Sequence, residues 1–201
     1  AKKILGRSLL NSELGCYLSH YGCVEKFLQT DADYLVVLED DLRIDNNFSS
    51  TLQEILHYLH SQKNIEWSLI NIAAKKNKIS REIFRTHDYS LVRAYYFPIR
   101  GVGLVWSRQG AHDFLKMAQN PCLPVDIFFQ NWLIKNGKGL SIWPPLVRPA
   151  GLDSDILGTV ATERVRRKQK ENRDFSFFMK KQLRLLKNNI LAYINFLSFK
   201  S

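Results

Sequence analysis

The run Tyr34-Leu35-Val36-Val37-Leu38, followed at once by Glu39-Asp40-Asp41, constrains this chain most. Five apolar residues rich in valine and leucine are too few for a buried helix and read as a strand buried on both faces of an α/β sheet. Ligands of open α/β sheets bind at such strand ends. Three adjacent carboxylates repel one another and so favour a cation. Oxygen-only donors suit Mg²⁺ or Mn²⁺, either of which can clamp a diphosphate. The plainer reading makes the acids solvated turn residues or the cap of the next helix, and the local sequence leaves both open.

At 201 residues the chain is long enough for one well-packed domain. Its net charge of +10 is unevenly placed, because residues 164–201 hold 11 Lys/Arg against only Glu171 and Asp174. A nearly neutral body over residues 1–160 and a basic tail over 161–201 follow. That asymmetry favours an anionic membrane surface as the tail's partner, and no nucleic acid is expected. Three cysteines without a C-x-x-C pair support neither a disulfide framework nor a zinc site, and point to a reducing compartment. No signal-peptide pattern and no stretch near 18 apolar residues is present, so neither secretion nor a membrane span is indicated. The chain opens on Ala1 rather than Met, which leaves room for a trimmed start.

Along the chain, residues 11–29 read as a helix whose stripe Leu14, Leu18, Tyr21, Val24 and Leu28 faces the sheet, with Ser19 and His20 off it. A second helix ends near Ser61 and buries Phe48, Leu52, Ile55, Leu56 and Leu59; residues 67–73 are a second apolar strand. Residues 75–87 are polar and basic without period, a loop over a site with phosphate as its partner. Strands over 94–99 and 103–106 flank Arg100-Gly101-Val102-Gly103, where glycine permits close backbone approach to a ligand or merely makes a turn. Ser107 caps a helix to Met117. Asp126 opens a helix over 127–134, as a cap or as a functional acid held ionised by the helix N-terminus. A short strand over 140–143 leads to a second acidic loop with Asp153 and Asp155. Residues 175–197 form a basic amphipathic helix with Phe178, Met179, Leu183, Leu186, Ile190, Ile194 and Leu197 on one stripe, suited to a membrane surface or to packing on the domain. No P-loop, H-E-x-x-H or G-x-S-x-G motif occurs.

The ordered set Glu13-Leu14-Gly15-Cys16-Tyr17-Leu18-Ser19-His20, Val37-Leu38-Glu39-Asp40-Asp41 and Pro124-Val125-Asp126 resembles glycosyltransferase family 25, the lipooligosaccharide galactosyltransferases, over residues 10–157. The resemblance implies a GT-A-like, Rossmann-type α/β sheet flanked by helices, and transfer of galactose from UDP-galactose to a lipooligosaccharide or lipopolysaccharide core with inversion. It implies that Glu39-Asp40-Asp41 is the counterpart of the family's D-x-D element, Asp41 with Glu39 or Asp40 holding Mn²⁺ or Mg²⁺; the close approach that glycine permits adds Gly101 to the donor-binding residues. It implies further that Asp126 lies near the acceptor and that residues 154–156 belong to the site. Two departures stand out: residues 1–10 do not clearly supply the family's base-binding first strand, and Ser12 replaces a common glycine.

An inverting transfer needs one carboxylate to take the acceptor proton and a cation to neutralise the leaving diphosphate. Asp126 is the expected base, with Asp155 and Asp153 as alternatives. Together with the basic tail, the resemblance implies a peripheral location on the inner face of a bacterial cytoplasmic membrane. The competing class is a non-catalytic membrane-surface or nucleic-acid binding module acting through its tail. A metal-dependent nuclease would need a richer ligand set than five scattered histidines.

Overall fold

The computed structural model describes residues 5, 7–150 and 175–198. In chain order the elements are α1 (Asn11–Phe27), β1 (Tyr34–Leu38), β2 (Leu42–Ile44), α2 (Phe48–Ser61), β3 (Leu69–Asn71), β4 (Ser80–Arg85), β5 (Ser90–Ala94), β6 (Gly103–Ser107), α3 (Arg108–Met117), α4 (Val125–Asn136), β7 (Gly139–Trp143), β8 (Val147–Pro149) and α5 (Phe175–Ser198). Six strands form one sheet in the order β1-β6-β3-β7-β5-β4, and β2 pairs with β8 in a small second sheet. Within the large sheet only β3 and β7 run parallel.

The sheet separates two cores because its strands alternate sides with period two. On β6, Leu104 and Trp106 join Phe114 of α3, Phe129 and Trp132 of α4 and Tyr17 of α1, whereas Val105 joins Leu52, Ile55 and Leu59 of α2. The first core is dominated by aromatic rings: Phe114, Phe129 and Trp132 all lie with centroids 5.0–6.2 Å from Trp106. Such offset and edge contacts add to the energy of burial itself.

β1 corrects the expectation drawn from its apolar run. Among the described residues it is an edge strand, pairing only with β6, from Tyr34 opposite Ser107 to Leu38 opposite Gly103. Leu35 and Val37 pack on the aromatic core, while Val36 and Leu38 remain 38% and 37% exposed. Of the β1 residues only Tyr34 reaches the α2 core, which leaves Val36 and Leu38 uncovered by it among the described residues. Every residue of β6 is buried, as in β3 and β5, so these strands rather than β1 have both faces covered.

Four further expectations change. The strand expected over 94–99 is instead β5, which ends at Ala94. Residues 80–85 are strand β4, paired antiparallel with β5, so the basic segment contributes structure as well as loop. On α1 the buried residues are Tyr17, His20, Val24 and Phe27, and Leu14 and Leu18 are exposed. His20 is inside because its ring meets the edge of Phe129 at 5.6 Å.

α5 packs on the body by a face other than its apolar stripe. Ala192 is fully buried against Tyr95, Tyr96 and Ile134. The Asn195 amide donates to the Ile134 carbonyl at 2.7 Å and Asn188 to Asn131 at 3.1 Å. Arg81 donates to the Phe196 carbonyl and covers its ring. The stripe of Phe178, Met179, Leu183, Leu186, Ile190, Ile194 and Leu197 is exposed along its length. No described helix is long and apolar enough to cross a membrane. The boundary expected near residue 160 lies outside the described residues.

Candidate functional site

The C-terminal end of β1, the N-terminal turn of α4 and one face of α1 converge on a pocket of about 450 Å³, within the usual size range for small-molecule sites. Its lining is Glu13 and Cys16 from α1, Glu39 after β1, the loop from Ile99 to Val102, and Pro124, Val125 and Asp126 at the start of α4. Each element delivers its residue for a local reason. On α1, Glu13, Cys16 and His20 recur at three and four residues and so share a face. Glu39 is fixed to the glycine loop by its backbone amide, which donates to the Val102 carbonyl at 3.0 Å. Pro124, which lacks the amide hydrogen a helix start leaves unpaired, precedes Asp126 in the first turn.

The loop wall is held in an unusual conformation. Arg100 has φ = 140°, a region that L side chains rarely occupy. Its carbonyl accepts from the side-chain amide of Asn71 at 2.8 Å, and the Asn71 carbonyl oxygen accepts from the Ala73 amide at 2.9 Å. Asn71 is fully buried, so the backbone at Arg100 is fixed from beneath. Strain of this kind persists only where the surroundings over-determine it, and it gathers at functional sites.

The charges are uneven. Glu13 is compensated by a bidentate pair with Arg7 at 2.5 and 2.7 Å. Glu39 and Asp126 have no such ion pair among the described residues. Burial, then the carboxylates of Asp41, Asp40 and Asp126, push the Glu39 carboxyl above its ordinary range. Burial also raises Asp126, although its Oδ1 accepts from the Ile127 amide at 2.7 Å. Desolvation outweighs the helix N-terminus there, contrary to the sequence expectation that the terminus would set the acidity. Cys16 is pushed up to about 11 by burial and by Glu39 and Asp126. Burial pulls His20 down to about 4. Arg100 is the one cation on the pocket wall among the described residues.

Of the residues singled out from sequence, Glu39, Gly101 and Asp126 meet in this pocket. Asp40 is exposed; Asp41 is half-buried outside the lining, and its backbone carbonyl accepts from Ala150. Asp153 and Asp155 lie outside the described residues. Sequence reasoning assigned no role to Glu13, Cys16 or Arg100, and placed His20 off the buried face. The signal present was the helical spacing of Cys16 and His20, which a stripe drawn through leucines and aromatics passes over.

The pocket is rich in acids, carries one wall cation among the described residues, and lies at a strand end of a mixed α/β domain. Comparison with known proteins then gives the family. The model of glycosyltransferase family 25 (LPS biosynthesis protein) matches residues 1–129, and the chain belongs to this family. It is 36% identical over 127 residues to procollagen galactosyltransferase 1 of Danio rerio, covering 61% of this chain and 20% of that protein. It is 38% identical over 124 residues to procollagen galactosyltransferase 1-B of Xenopus laevis, with the same coverage. It is 32% identical over 77 residues to the human inactive glycosyltransferase 25 family member 3, covering 38% of this chain and 13% of that protein. The chain thus spans about one fifth of the length of the first two relatives.

Proposed function

We propose that this chain carries the catalytic site of an inverting, GT-A-like galactosyltransferase that uses UDP-galactose and a lipooligosaccharide or lipopolysaccharide core acceptor. The observation that carries the reading is the shared pocket of Glu39 and Asp126, two desolvated carboxylates without ion-pair partners among the described residues, beside Arg100. Family membership supports the transferase class, and the relatives named galactosyltransferases support the sugar.

In the proposed reaction the acceptor oxygen attacks the anomeric carbon as the bond from that carbon to the diphosphate oxygen breaks on the opposite face. The acceptor proton passes to a carboxylate oxygen of Asp126, and the electron pair leaves with UDP. A carboxylate whose pKa is raised toward neutrality is a stronger base than an ordinary aspartate, so burial suits Asp126 to this task. Arg100 is disposed to hold a diphosphate bidentately, as guanidinium does well. The acids fit a hard divalent cation on structural grounds, since Asp41 Oδ1 is buried with no hydrogen-bond partner among the described residues. Glu39 and Asp41 would hold Mn²⁺ or Mg²⁺, which supplies charge neutralisation for the departing diphosphate.

The exposed stripe of α5, bordered by Lys180, Lys181 and Lys187, suits an anionic lipid surface and would bring the site to a membrane-borne acceptor on the inner face of the cytoplasmic membrane. Leu186→Glu with Ile190→Glu should abolish binding to phosphatidylglycerol vesicles without loss of stability; undiminished binding refutes that role.

The decisive experiment incubates the chain with UDP-, GDP- and CMP-sugars, with Mn²⁺, Mg²⁺ or chelator, and reads free nucleotide with and without a lipooligosaccharide acceptor. Metal-dependent release from UDP-galactose that disappears in Asp126→Asn, with UDP binding retained, is the expected result. Silence across the panel by a folded protein that still binds anionic vesicles would replace the transferase with a non-catalytic membrane module. One relative is itself named inactive.

A further inference from the structure

A second ligand set adjoins this pocket, with Cys16 and Glu39 in its lining and His20 outside it, and differs in chemistry from the oxygen-only set. Cys16, His20 and Glu39 each offer one donor atom, and the three atoms lie within 4.8 Å of one another. Cys16 Sγ and Glu39 Oε1 are already 3.9 Å apart. Ligands on a tetrahedral zinc ion are separated by roughly 3.3–3.6 Å, so the pair needs a shift of only a few tenths of an ångström. His20 is 3% exposed, and its Nδ1 has no hydrogen-bond partner among the described residues. A buried, unpartnered imidazole nitrogen calls for an explanation, because such groups are nearly always satisfied.

We propose that Cys16, His20 and Glu39 form a three-ligand site for a thiophilic divalent cation of the Zn²⁺ class, with its fourth position open to the pocket.

One sulfur, one imidazole and one carboxylate are a borderline-soft set that suits Zn²⁺ or Co²⁺ over Mg²⁺ or Mn²⁺. Three protein ligands with one open position is the arrangement of catalytic rather than structural zinc. Cys16 and His20 stand one helical turn apart on α1, and Glu39 is tied to the facing loop, so the two sides of the site come from separately anchored elements. Gly101 closes the wall beside His20, where a Cβ would come within 3.7 Å of Nε2. Coordination exchanges the S–H bond of Cys16 for a sulfur–metal bond and releases that proton to solvent. The carboxylates of Glu39 and Asp126, which line the same pocket as Cys16, would attract the cation. Glu39 is common to this set and to the proposed hard-ion set, so the two ions compete for it.

The test strips the full chain of metal with chelator, then titrates it with Zn²⁺, Co²⁺ and Mn²⁺ in the absence of nucleotide. The expected result is one Zn²⁺ or Co²⁺ per chain by elemental analysis, a thiolate-to-Co²⁺ charge-transfer band, and a melting temperature raised by Zn²⁺ but not by Mn²⁺. Cys16→Ser should remove the band and the thermal shift, and His20→Gln should weaken binding at least tenfold. Cys23 and Cys122 are exposed and free, so they are the competing thiols. No stoichiometric ion, or a band and thermal shift that survive in Cys16→Ser, overturns the proposal. Should His20→Gln fail to fold, the Cys16→Ser comparison decides alone. The inference rests on the transferase reading only for its place beside the donor. Ion binding without sugar-nucleotide release would sink that reading alone, and release without ion binding would sink this one alone.

Discussion

Gly22 and Gly110 are both helical glycines, and the structure assigns opposite signs to replacing them with alanine. Gly22 lies inside α1 with nothing within 4 Å of where its Cβ would be. Gly22→Ala should therefore stabilise the protein by about 0.5–1 kcal/mol, the ordinary gain in helix propensity. Gly110 lies in the first turn of α3, where a Cβ would meet the backbone of Ser68, 2.6 Å from its carbonyl carbon and closer still to the oxygen. Relief needs a displacement of roughly 1 Å, since carbon contacts settle at about 3.5–4.0 Å. The backbone there cannot move freely: Ser107 donates its amide to the Ser68 carbonyl, and its hydroxyl accepts from Gly110 and donates to Trp67. Overpacking costs about 1–3 kcal/mol and a lost helix cap about 1 kcal/mol, against a propensity gain of up to about 1 kcal/mol. The net expectation is a loss of about 2 kcal/mol. Equilibrium urea unfolding of the two variants beside the parent measures both, with unchanged slope required for the comparison. A Gly110→Ala protein as stable as the parent would refute the proposed packing of α3 on residues 67–68.

Three other perturbations separate the roles assigned here. Asp126 has a raised pKa when folded, so its ionisation costs stability as pH rises through that value; Asp126→Asn should be no more stable than the parent well below the unfolded pKa of about 3.9 and more stable at pH 7, while transfer is lost. In the parent, turnover should fall as pH drops through the raised value; an acid limb at the ordinary aspartate pKa would remove Asp126 as the base. Arg100→Gly should raise stability by about 1 kcal/mol by releasing the strained φ, yet weaken UDP binding at least tenfold by calorimetry; unchanged UDP affinity would remove Arg100 from the donor site. Ala192→Glu would drive a carboxylate against Tyr95, Tyr96 and Ile134, so α5 amides should exchange hydrogen faster while those of β6 stay protected; unchanged α5 protection would contradict its docking through Ala192.

Much of the secondary structure was legible because it rests on local periodicity and punctuation. Leu52, Ile55 and Leu59 recur at helical spacing and are the buried face of α2, and Ser107 caps α3 as its residue type suggested. The acids at the end of the apolar run and Asp126 before the aromatic helix were visible as isolated chemistry, and the pocket unites Glu39 with Asp126. Their pairing depends on contacts between residues 87 positions apart, which no local pattern encodes.

The amino-acid order alone determined which segments are apolar, where the helices and several strands begin, and that the tail is both basic and amphipathic. Tertiary structure decided which strands have both faces covered, and the apolar run became an edge because α2 covers β6 and β3 but scarcely reaches β1. It also turned His20 inward onto Phe129 and left Leu14 and Leu18 outside, and it docked α5 through Ala192 with its leucine stripe in solvent. The physical reason is common to all three. Hydrophobicity fixes how much surface a segment gains by burying, whereas which face is buried depends on where neighbouring elements supply a complementary surface.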